Sequence, residues 1–335
     1  MPAITIIIPL YNGEKFIIET LNSVKNQTFN DFECIIVNDG STDNSKELVS
    51  NYIINNKRFK LFTIKNSGSA DFPIKYAVNI SESESIMVIG HDDTIDPECL
   101  SLLYKRKLET QSDVIILNMI FCEKELDGVV WSLPTNQIDV SKVIDAEEAL
   151  FYTIGGWQIP CNGMLVNKEL YKNIEVFPFM NGDEITSRII LSKANKIAFS
   201  TAKYIYRNHQ NSISRAFSSK VFERIMADIE LEKFIINRFG YNNRLSVKMQ
   251  VTRFYNLVYL YADFINNKTK FSKDIQNEIS KNFSYAYKLF NKKILFKKLK
   301  LMLSFLFLTN YCMFKISSYI YVKYKDKNGR KFIFK

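Results

Sequence analysis

Residues 4–9 read ITIIIP and residues 32–40 read FECIIVNDG, and these two stretches decide the fold. Each contains an apolar run rich in β-branched residues and ends at turn-forming residues, which is typical of a strand buried on both faces of a sheet. Between them, residues 14–25 carry side chains at the spacing of an amphipathic helix, namely Phe16, Ile17, Thr20, Leu21 and Val24. The order strand, helix, strand predicts the start of an α/β fold with a mostly parallel sheet.

The same alternation continues to about residue 119. Ser41 or Thr42 can cap a helix that ends near Tyr52, and another helix is expected to begin near Pro97 and to end at about residue 108. Helices that follow strands in this order cover both faces of the sheet. Three further apolar runs predict strands, at residues 59–64, 85–89 and 114–119.

Polar clusters follow three of the predicted strands, at residues 9–12, 38–43 and 91–93. Ligands of open α/β sheets bind at the carboxyl ends of the strands. Each cluster alone is compatible with ordinary turn chemistry. Because the carboxyl ends of parallel strands meet at one edge of a sheet, the three clusters together predict a ligand site.

The pattern changes in the second half of the chain. Residues 130–132 and 204–206 are predicted as strands, and residues 145–152 are predicted as a helix. Over residues 219–290 the apolar side chains recur at helical spacing, which predicts long amphipathic helices.

The positive charge is concentrated near the end of the chain. The 335 residues carry a formal net charge of +10; residues 292–335 contain twelve Lys or Arg and one acid, so the preceding residues sum to −1. This distribution argues against a nucleic-acid-binding protein. The five cysteines are single and scattered, which favours a reducing compartment without a disulfide framework.

Three stretches carry a family resemblance. Residues 5–14 (TIIIPLYNGE), 21–27 (LNSVKNQ) and 32–45 (FECIIVNDGSTDNS) closely resemble motifs of the family 2 glycosyltransferases, which have the GT-A fold. The resemblance covers about residues 3–100 in its first part. It implies inverting, metal-dependent transfer of a sugar from a nucleotide-sugar donor of the UDP type. The implied acceptor is a saccharide or a lipid-linked saccharide, as in bacterial polysaccharide biosynthesis.

The resemblance and the hydrophobic pattern together divide the chain. We expect a GT-A catalytic domain over residues 1–218, with a donor half at about 1–110 and an acceptor half at about 111–218. A helical region is expected over residues 219–290. Residues 291–335 are expected to form a basic amphipathic tail.

The resemblance assigns donor-site residues by their positions. Asp39 matches the acid that contacts the uracil ring, and the family usually has an arginine a short distance after Asn66. This chain has no arginine there, and Lys75 is the residue that we align with it. The residues predicted to contact the nucleotide sugar in these motifs are Pro9, Tyr11, Glu14, Asp39, Asn66 and Lys75.

Asp92 and Asp93 match the end of the family's metal-binding motif, in which Gly90 replaces the usual first aspartate. A hard divalent cation, Mg²⁺ or Mn²⁺, would bridge the donor phosphates and stabilise the leaving diphosphate. Because Mg²⁺ commonly takes only one or two protein carboxylates, Asp92 is predicted to contact the metal, with Asp93 in support. The alternative is that both acids cap the helix at Pro97.

The resemblance resumes at residues 182–184 and implies that Asp183 or Glu184 is the base that deprotonates the acceptor hydroxyl. Adjacent acids point in different directions, so we expect only one of them to act, and we favour Asp183. The alternative is a solvated helix start, in which Glu184 pairs with Arg188 at the i, i+4 spacing.

Residues 206–214 resemble the family's closing motif near the donor phosphates. The match implies that Arg207 neutralises phosphate charge and that His209 contacts the metal ion or a phosphate. The alternatives are a local ion pair for Arg207 and a surface position for His209.

Trp157 lies in an unusual run, GGWQIPCNG, at residues 155–163. A tryptophan held between glycines and a proline could stack on a sugar and line the acceptor site. Packing of the same side chain into the core is equally compatible with the sequence.

Residues 294–307 (ILFKKLKLMLSFLF) mix bulky apolar side chains with lysines. Such segments lie in membrane interfaces, and anionic lipid attracts lysines. We expect no signal peptide, and the longest uncharged apolar run, residues 301–314, is too short to span a bilayer. We therefore predict a cytoplasmic enzyme, peripheral on the inner face of the cell membrane. The alternative is a helix that packs on the catalytic domain with a solvated basic face.

Two other functions are compatible with parts of the sequence. A nucleotidyltransferase is also an α/β enzyme that uses aspartate and metal, but the Gly-rich phosphate loop it needs is replaced here by YNGE at residues 11–14. A catalytically degenerate nucleotide-sugar-binding protein would account for Gly90 and for the missing arginine. Metal-dependent hydrolysis of a donor would separate the enzyme from the degenerate protein.

Overall fold

The computed structural model describes most of the chain. The described ranges are residues 1–123, 128–133, 139–155, 163–208, 218–298, 307–308 and 310–327, with the backbone alone for 123, 128–133, 208 and 324–327. The chain divides into a first unit, Met1–Pro178 with Gly182–Ala216, and a second unit, Phe179–Asn181 with Phe217–Lys335. The sequence analysis divided the chain by expected function, into a catalytic domain, a helical region and a tail. These functional boundaries stay a prediction.

A single sheet organises the first unit. Its main strands follow the order β3-β2-β1-β4-β9-β6-β10-β5, with β7 beside β6 and β8 beside β10. The strands are β1 (Ile4–Leu10), β2 (Phe32–Asp39), β3 (Phe59–Ile64), β4 (Ser85–Val88), β5 (Thr94–Ile95), β6 (Val114–Glu123), β7 (Gly128–Leu133), β8 (Val143–Ile144), β9 (Leu165–Asn167) and β10 (Ile197–Asn208).

Most of the long strands of this sheet point in the same direction. β1 pairs in parallel with β2 and β4, β2 with β3, and β6 with β10. β9 is antiparallel to both of its neighbours, β4 and β6, so β6 and β10 run in the same direction as the donor-half strands. The predicted mostly parallel α/β sheet is therefore confirmed.

Helices cover both faces of the sheet. Alternate residues of β1 face opposite sides, and the residues on each side pack against helices. Ile4, Ile6 and Ile8 pack in a core with α1, α2 and α4, whereas Ile7 packs in a second core with α3. All of these β1 residues are fully buried, which explains why the strand reads as one continuous apolar run. The helices of this unit are α1 (Ile17–Lys25), α2 (Ser45–Ile53), α3 (Asp71–Ile80), α4 (Cys99–Thr110), α5 (Ala146–Thr153) and α6 (Gly182–Lys193).

The start of α2 differs from the prediction. The helix begins at Ser45 rather than beside Ser41 or Thr42. Ser41 and Thr42 instead bond to Asn12 in the neighbouring loop. The side chains of Ser41 and Thr42, which were expected to cap α2, are thus bonded to a residue that is distant in sequence.

Several elements of the first unit were not predicted, among them the short strands β5 and β8. α3, which has Pro73 in its first turn, and β9, a strand of three residues between β4 and β6, were also not predicted. β10 is also longer than the predicted strand at residues 204–206. The strand at 130–132 and the helix at 145–152 are confirmed as parts of β7 and α5.

The second unit has an aromatic core between helices. Phe222, Phe254, Tyr261, Phe283 and Phe314 contribute rings that pack edge to face or tilted against one another. The helices predicted over residues 219–290 are confirmed as α7 (Arg224–Phe239), α8 (Arg244–Asn267) and α9 (Lys273–Lys288). Two further helices, α10 (Lys292–Lys298) and α11 (Tyr311–Lys327), lie in the tail.

The tail contributes apolar side chains to this core. Leu295, Phe307, Leu308 and Phe314 are buried in it. Two residues of the predicted interfacial segment, Leu295 and Phe307, therefore pack on the helices of their own unit, whereas the alternative expected from the sequence was packing on the catalytic domain. None of the helices in the described ranges combines the length and hydrophobicity needed to cross a bilayer.

Candidate active site

The loops after β1 and β2 are bonded to each other at the carboxyl edge of the sheet. The backbone amide of Asn12 donates to Ser41 Oγ (3.0 Å), and the amide of Thr42 donates to Asn12 Oδ1 (2.8 Å). Glu14 continues this contact, because its Oε2 accepts from both the backbone amide (3.0 Å) and the side chain (3.1 Å) of Asn44. The first two polar clusters thus form one surface, on which Tyr11 is 43% exposed and Pro9 is half-buried.

Asp39 connects this surface to the loop after β3. Its carboxylate is 4% exposed and accepts from the amide (2.8 Å) and the hydroxyl (2.9 Å) of Ser67. Its carbonyl accepts from Asn66 Nδ2 (3.0 Å). Asp39 and Asn66 therefore shape the predicted donor loop. Ser67 was not singled out from the sequence; its place in the turn-forming run NSGS, directly after Asn66, is the signal that could have found it.

Asp93 is turned into the protein. Its Oδ2 accepts from the Tyr204 hydroxyl (2.5 Å) and its Oδ1 from the Arg207 amide (2.9 Å), while its carbonyl accepts from Thr20 Oγ1 (2.7 Å). Burial and, secondly, the neighbouring aspartate raise the pKa of Asp93 to about 7. This geometry favours a role in holding the turn over the predicted supporting role in metal binding.

Asp92 is half-buried and lies on the same turn. A Cβ added at Gly90 would lie 2.6 Å from Asp93 Oδ2 and 2.9 Å from Asp92 Oδ1. The two carboxylates thus occupy the space in which the family's first aspartate would begin, which is a physical reason for the glycine. Within the described ranges, no group of three or more His, Cys, Asp or Glu side chains is arranged to hold a metal ion. The single carboxylate of Asp92 fits Mg²⁺ only in the mode in which phosphates and waters complete the coordination.

Arg207 stabilises the same turn from the other side. Its Nε donates to the Asp92 carbonyl (3.0 Å), and its Nη2 lies 2.6 Å from Glu19 Oε2. The guanidinium also lies 4.7 Å from the centre of the Phe16 ring. These contacts favour the local ion pair, the alternative to the predicted contact with phosphate. Glu19 was missed because its partner is distant in sequence.

Asp183 and Glu184 lie in the first turn of α6 and differ in environment. Arg188 Nη1 lies 3.1 Å from Glu184 Oε2, and its Nη2 donates to the Thr153 carbonyl (3.0 Å). The predicted i, i+4 pair is therefore present. Asp183 is exposed, which makes it the better placed of the two acids to meet an acceptor.

Asp71, the first residue of α3, lies close to this pair and was not predicted. Burial and, secondly, the negative charge of Asp183 raise the pKa of Asp71 to about 6. An acid at a helix start directly after the NSGS run is a weak signal that could have found it.

The remaining predicted residues are less well placed or lie outside the described ranges. Lys75 Nζ donates to the Ile174 carbonyl (3.3 Å), so it contacts the main chain of the segment that leads towards α6. Trp157 and His209 lie outside the described residues, and their predicted roles stay predictions.

The sequence model of the family described as "Glycosyl transferase family 2" matches residues 5–174. The chain belongs to this family. It is therefore a glycosyltransferase, and the nucleotidyltransferase alternative is removed.

Curated relatives of this family 2 glycosyltransferase have the same activity class. Glycosyltransferase GlyG of Streptococcus pneumoniae serotype 4 is 26% identical over 278 residues, which cover 76% of this chain and 90% of GlyG. The poly(ribitol-phosphate) beta-N-acetylglucosaminyltransferase TarS of Staphylococcus aureus is 26% identical over 291 residues, which cover 79% of this chain and 49% of TarS. The chain thus spans about half the length of TarS.

The fold of this family 2 glycosyltransferase is also found in a solved structure. The crystal structure of S. aureus TarS 1–349 in complex with UDP-GlcNAc has a TM-score of 0.69 and 20% identity, and covers 99% of this chain and 94% of that one. This likeness confirms the predicted GT-A fold with C-terminal helices. The family match ends at residue 174, so the roles of Asp183 and Glu184 stay predictions.

Proposed function

We propose that this family 2 glycosyltransferase transfers a sugar from a UDP-sugar to a hydroxyl of a saccharide or lipid-linked saccharide, with inversion and with a divalent metal. The observation that carries the proposal is the meeting of the loops after β1, β2 and β3 at one sheet edge, with Asp183 close to Asp71 at the start of α3. The complex of the fold relative TarS with UDP-GlcNAc supports a donor of this type.

The donor nucleotide would lie on the surface made by the first three loops. Tyr11 presents an exposed ring that can pack on a ribose or base. Asp39, together with Ser67, holds the loop that would border the base. The bonds between these loops fix their shape before the donor binds, which limits the ordering entropy lost on binding.

Asp92 is the residue that would hold Mg²⁺ or Mn²⁺ beside the donor phosphates. When bound, the ion would offset the negative charge that develops on the leaving diphosphate. The turn that carries Asp92 is held by the bonds of Asp93 and Arg207. The backbone that carries the Asp92 carboxylate is therefore held before a ligand arrives.

Asp183 would accept the proton of the acceptor hydroxyl. As the acceptor oxygen forms a bond to the anomeric carbon, the bond from that carbon to the phosphate oxygen breaks, and UDP leaves with the bonding electrons. The proton of the hydroxyl passes to the Asp183 carboxylate. Attack on the face opposite to the leaving group inverts the configuration of that carbon.

The deciding experiment measures UDP release from a panel of UDP-sugars with Mn²⁺, Mg²⁺ or EDTA, for the wild type and Asp92→Ala. Release from one donor that is lost with EDTA and with the substitution would support donor class and metal role together. Glu98→Gln, an exposed acid next to the turn, is the matched control. Release that ignores EDTA would overturn the metal assignment, and absence of both release and donor binding by calorimetry would favour the degenerate protein.

The proposal includes a cytoplasmic location with peripheral attachment to the inner face of the cell membrane. In the second unit, Lys293, Lys297 and Lys298 of α10 are exposed, and Phe296 between them is 56% exposed. Exposed lysines around an apolar side chain favour contact with anionic lipid.

Vesicle sedimentation of the full chain tests this attachment. Replacement of these three lysines by glutamine should reduce sedimentation with phosphatidylglycerol vesicles. The matched control replaces Lys268, Lys270 and Lys281, three exposed lysines of the same unit. Equal sedimentation of the two variants would contradict attachment through α10.

A further inference from the structure

One side of α11 is turned away from the protein. The structure describes the side chains of this helix over residues 311–323, and the exposed ones recur at intervals of three or four positions. Residues at this spacing lie on the same side of a helix. We call this side the outer face of α11. Its residues are Cys312, Ile316, Tyr319, Ile320 and Lys323.

The opposite side of α11 holds the helix on its own unit. Phe314 is fully buried, and the centre of its ring lies 6.2 Å from that of Phe254 and 6.0 Å from that of Tyr261, both in α8. Ser318, one turn further on, is also fully buried, and its hydroxyl donates to the Phe314 carbonyl (2.7 Å). Packing against α8 therefore determines which side of α11 is turned outwards.

The outer face is mostly apolar, whereas the exposed side of an amphipathic helix is normally polar. Ile316 is 50% exposed and Ile320, one turn later, is 59% exposed, with the ring of Tyr319 beside them. Single exposed apolar side chains are common on soluble proteins, but neighbouring ones bordered by polar residues mark interaction sites. The outer face is therefore a candidate contact surface.

Lysines accompany the apolar side chains. Lys323 Nζ lies 5.2 Å from the centre of the Tyr319 ring, and Lys315 Nζ lies 5.3 Å from that of Tyr311. No acid occurs in residues 311–323. Large apolar side chains with lysines beside them are typical of a helix that lies along a membrane surface, with its apolar side among the lipid headgroups.

The charge of the helix favours lipid over a second copy of the chain. A twofold contact between outer faces would bring the same surface of each copy together. Lys315 and Lys323 of one copy would then approach the lysines of the other, which is unfavourable. Anionic lipid instead supplies the complementary charge.

We propose that the outer face of α11 is a membrane-contact surface. Ile316 and Ile320 enter the headgroup region of an anionic lipid surface, and Tyr319 and the lysines stay at the level of the headgroups. The inference rests on the peripheral attachment in the proposed function, to which it adds an apolar contact beside the lysines of α10.

Vesicle sedimentation of the full chain measures the contribution of the two isoleucines. Ile316→Ser combined with Ile320→Ser should lower partitioning onto phosphatidylglycerol vesicles by about tenfold or more, because apolar area that enters the interface adds to binding. The matched control is Ile54→Ser combined with Leu108→Ser, at two exposed positions of the first unit, and it should bind as the wild type does. Wild-type binding by the α11 variant would overturn the proposal.

Cys312 reports on the outer face directly. It is exposed, whereas Cys34, Cys99 and Cys122 are buried, and Cys161→Ser removes the remaining cysteine. In this background, saturating phosphatidylglycerol vesicles should slow the reaction of Cys312 with a charged maleimide at least about fivefold, because the lipid covers the thiol. Phosphatidylcholine vesicles should leave the rate unchanged. An unchanged rate for vesicle-bound protein would overturn the proposal.

Light scattering without lipid separates a membrane contact from a contact between copies. The wild type and the α11 variant should have the same mass and the same melting temperature, since both isoleucines are exposed. A larger wild-type mass that falls in the α11 variant would overturn the proposal in favour of a second copy.

The inference and the proposed function fail in different ways. UDP release measured without lipid should be the same in the wild type and the α11 variant. Loss of sedimentation only in the variant that lacks the three lysines of α10 would overturn the inference and leave attachment through α10. Unchanged sedimentation in both variants would overturn the inference together with the proposed attachment, whatever the result for UDP release.

Discussion

The molecule has two pairs of adjacent acids, one at the turn after β4 and one at the start of α6. In both pairs one acid is held more tightly than the other, but the groups that hold it differ. At the turn, Asp93 is buried against uncharged donors and Asp92 stays half-exposed. In α6, Glu184 is paired with a buried arginine and Asp183 stays exposed. In each pair one acid is held by a distant or buried donor and the other is more exposed, so sequence adjacency does not imply a shared environment.

The largest difference in turnover between substitutions of the two acids of one pair is expected at the start of α6. Asp183→Asn should lower the turnover of UDP-sugar transfer by a factor of about 10²–10⁴, the usual contribution of a general base. Glu184→Gln should lower it much less, because its carboxylate already pairs with Arg188. Steady-state kinetics checks both, with Glu175→Gln, an exposed acid, as the control. Equal losses in the two variants would break the comparison.

At the turn after β4, the hydroxyl of Tyr204 holds the carboxylate of Asp93. Tyr204→Phe removes the group that donates to Asp93 and accepts from the Gly90 amide (3.0 Å). Because both partners are then left without this bond in a buried site, the free energy of unfolding should fall by about 1–3 kcal/mol. Urea unfolding measures it, and Tyr11→Phe, at an exposed position, is the control. An unchanged midpoint would show that the hydroxyl does not support the turn.

The two acids of the turn should also differ in metal dependence. Asp92→Asn should raise the Mn²⁺ concentration for half-maximal UDP release at least about tenfold, since even groups outside the coordination shell contribute that much. Asp93→Asn should change it by less than about threefold, because its oxygens face Tyr204 and the Arg207 amide. Titration of activity with Mn²⁺ distinguishes them. A larger effect at Asp93 would reverse their assigned roles.

The smallest expected effect is a change in the free energy of unfolding with pH. Because the pKa of Asp93 is raised from 3.8 to about 7 by folding, the folded state holds a proton that the unfolded chain releases in this interval. The contribution of Asp93 to stability is therefore present at low pH and is lost as pH rises towards 7. Wild type should lose on the order of 1–2 kcal/mol relative to Asp93→Asn across that window.

Urea unfolding at several pH values checks this difference. Asp71, whose pKa is also raised, changes both proteins equally and cancels in the comparison. Stability curves that stay parallel across the pH range would show that the charge of Asp93 costs nothing in the folded protein.

Local patterns in the sequence determined the framework of the protein. The β-branched runs of β1 and β2 predict buried strands because residues on both faces of a parallel sheet are apolar. The motifs at residues 5–14 and 32–45 led to the family, and the polar clusters after the strands led to the site edge. These inferences need only neighbours in sequence and the regular direction of parallel strands.

Tertiary structure alone decided which of the acids at the site are buried and which are exposed. Asp93 is anchored by Tyr204, which is 111 positions away, and Asp71 lies near Asp183, a residue of another helix. The bonding of Asn12 to Ser41 and Thr42, the pairing of Arg207 with Glu19 and the burial of Leu295, Phe307 and Phe314 in an aromatic core have the same origin. A side chain's direction depends on partners that the chain brings together only on folding, and local periodicity carries no information about them.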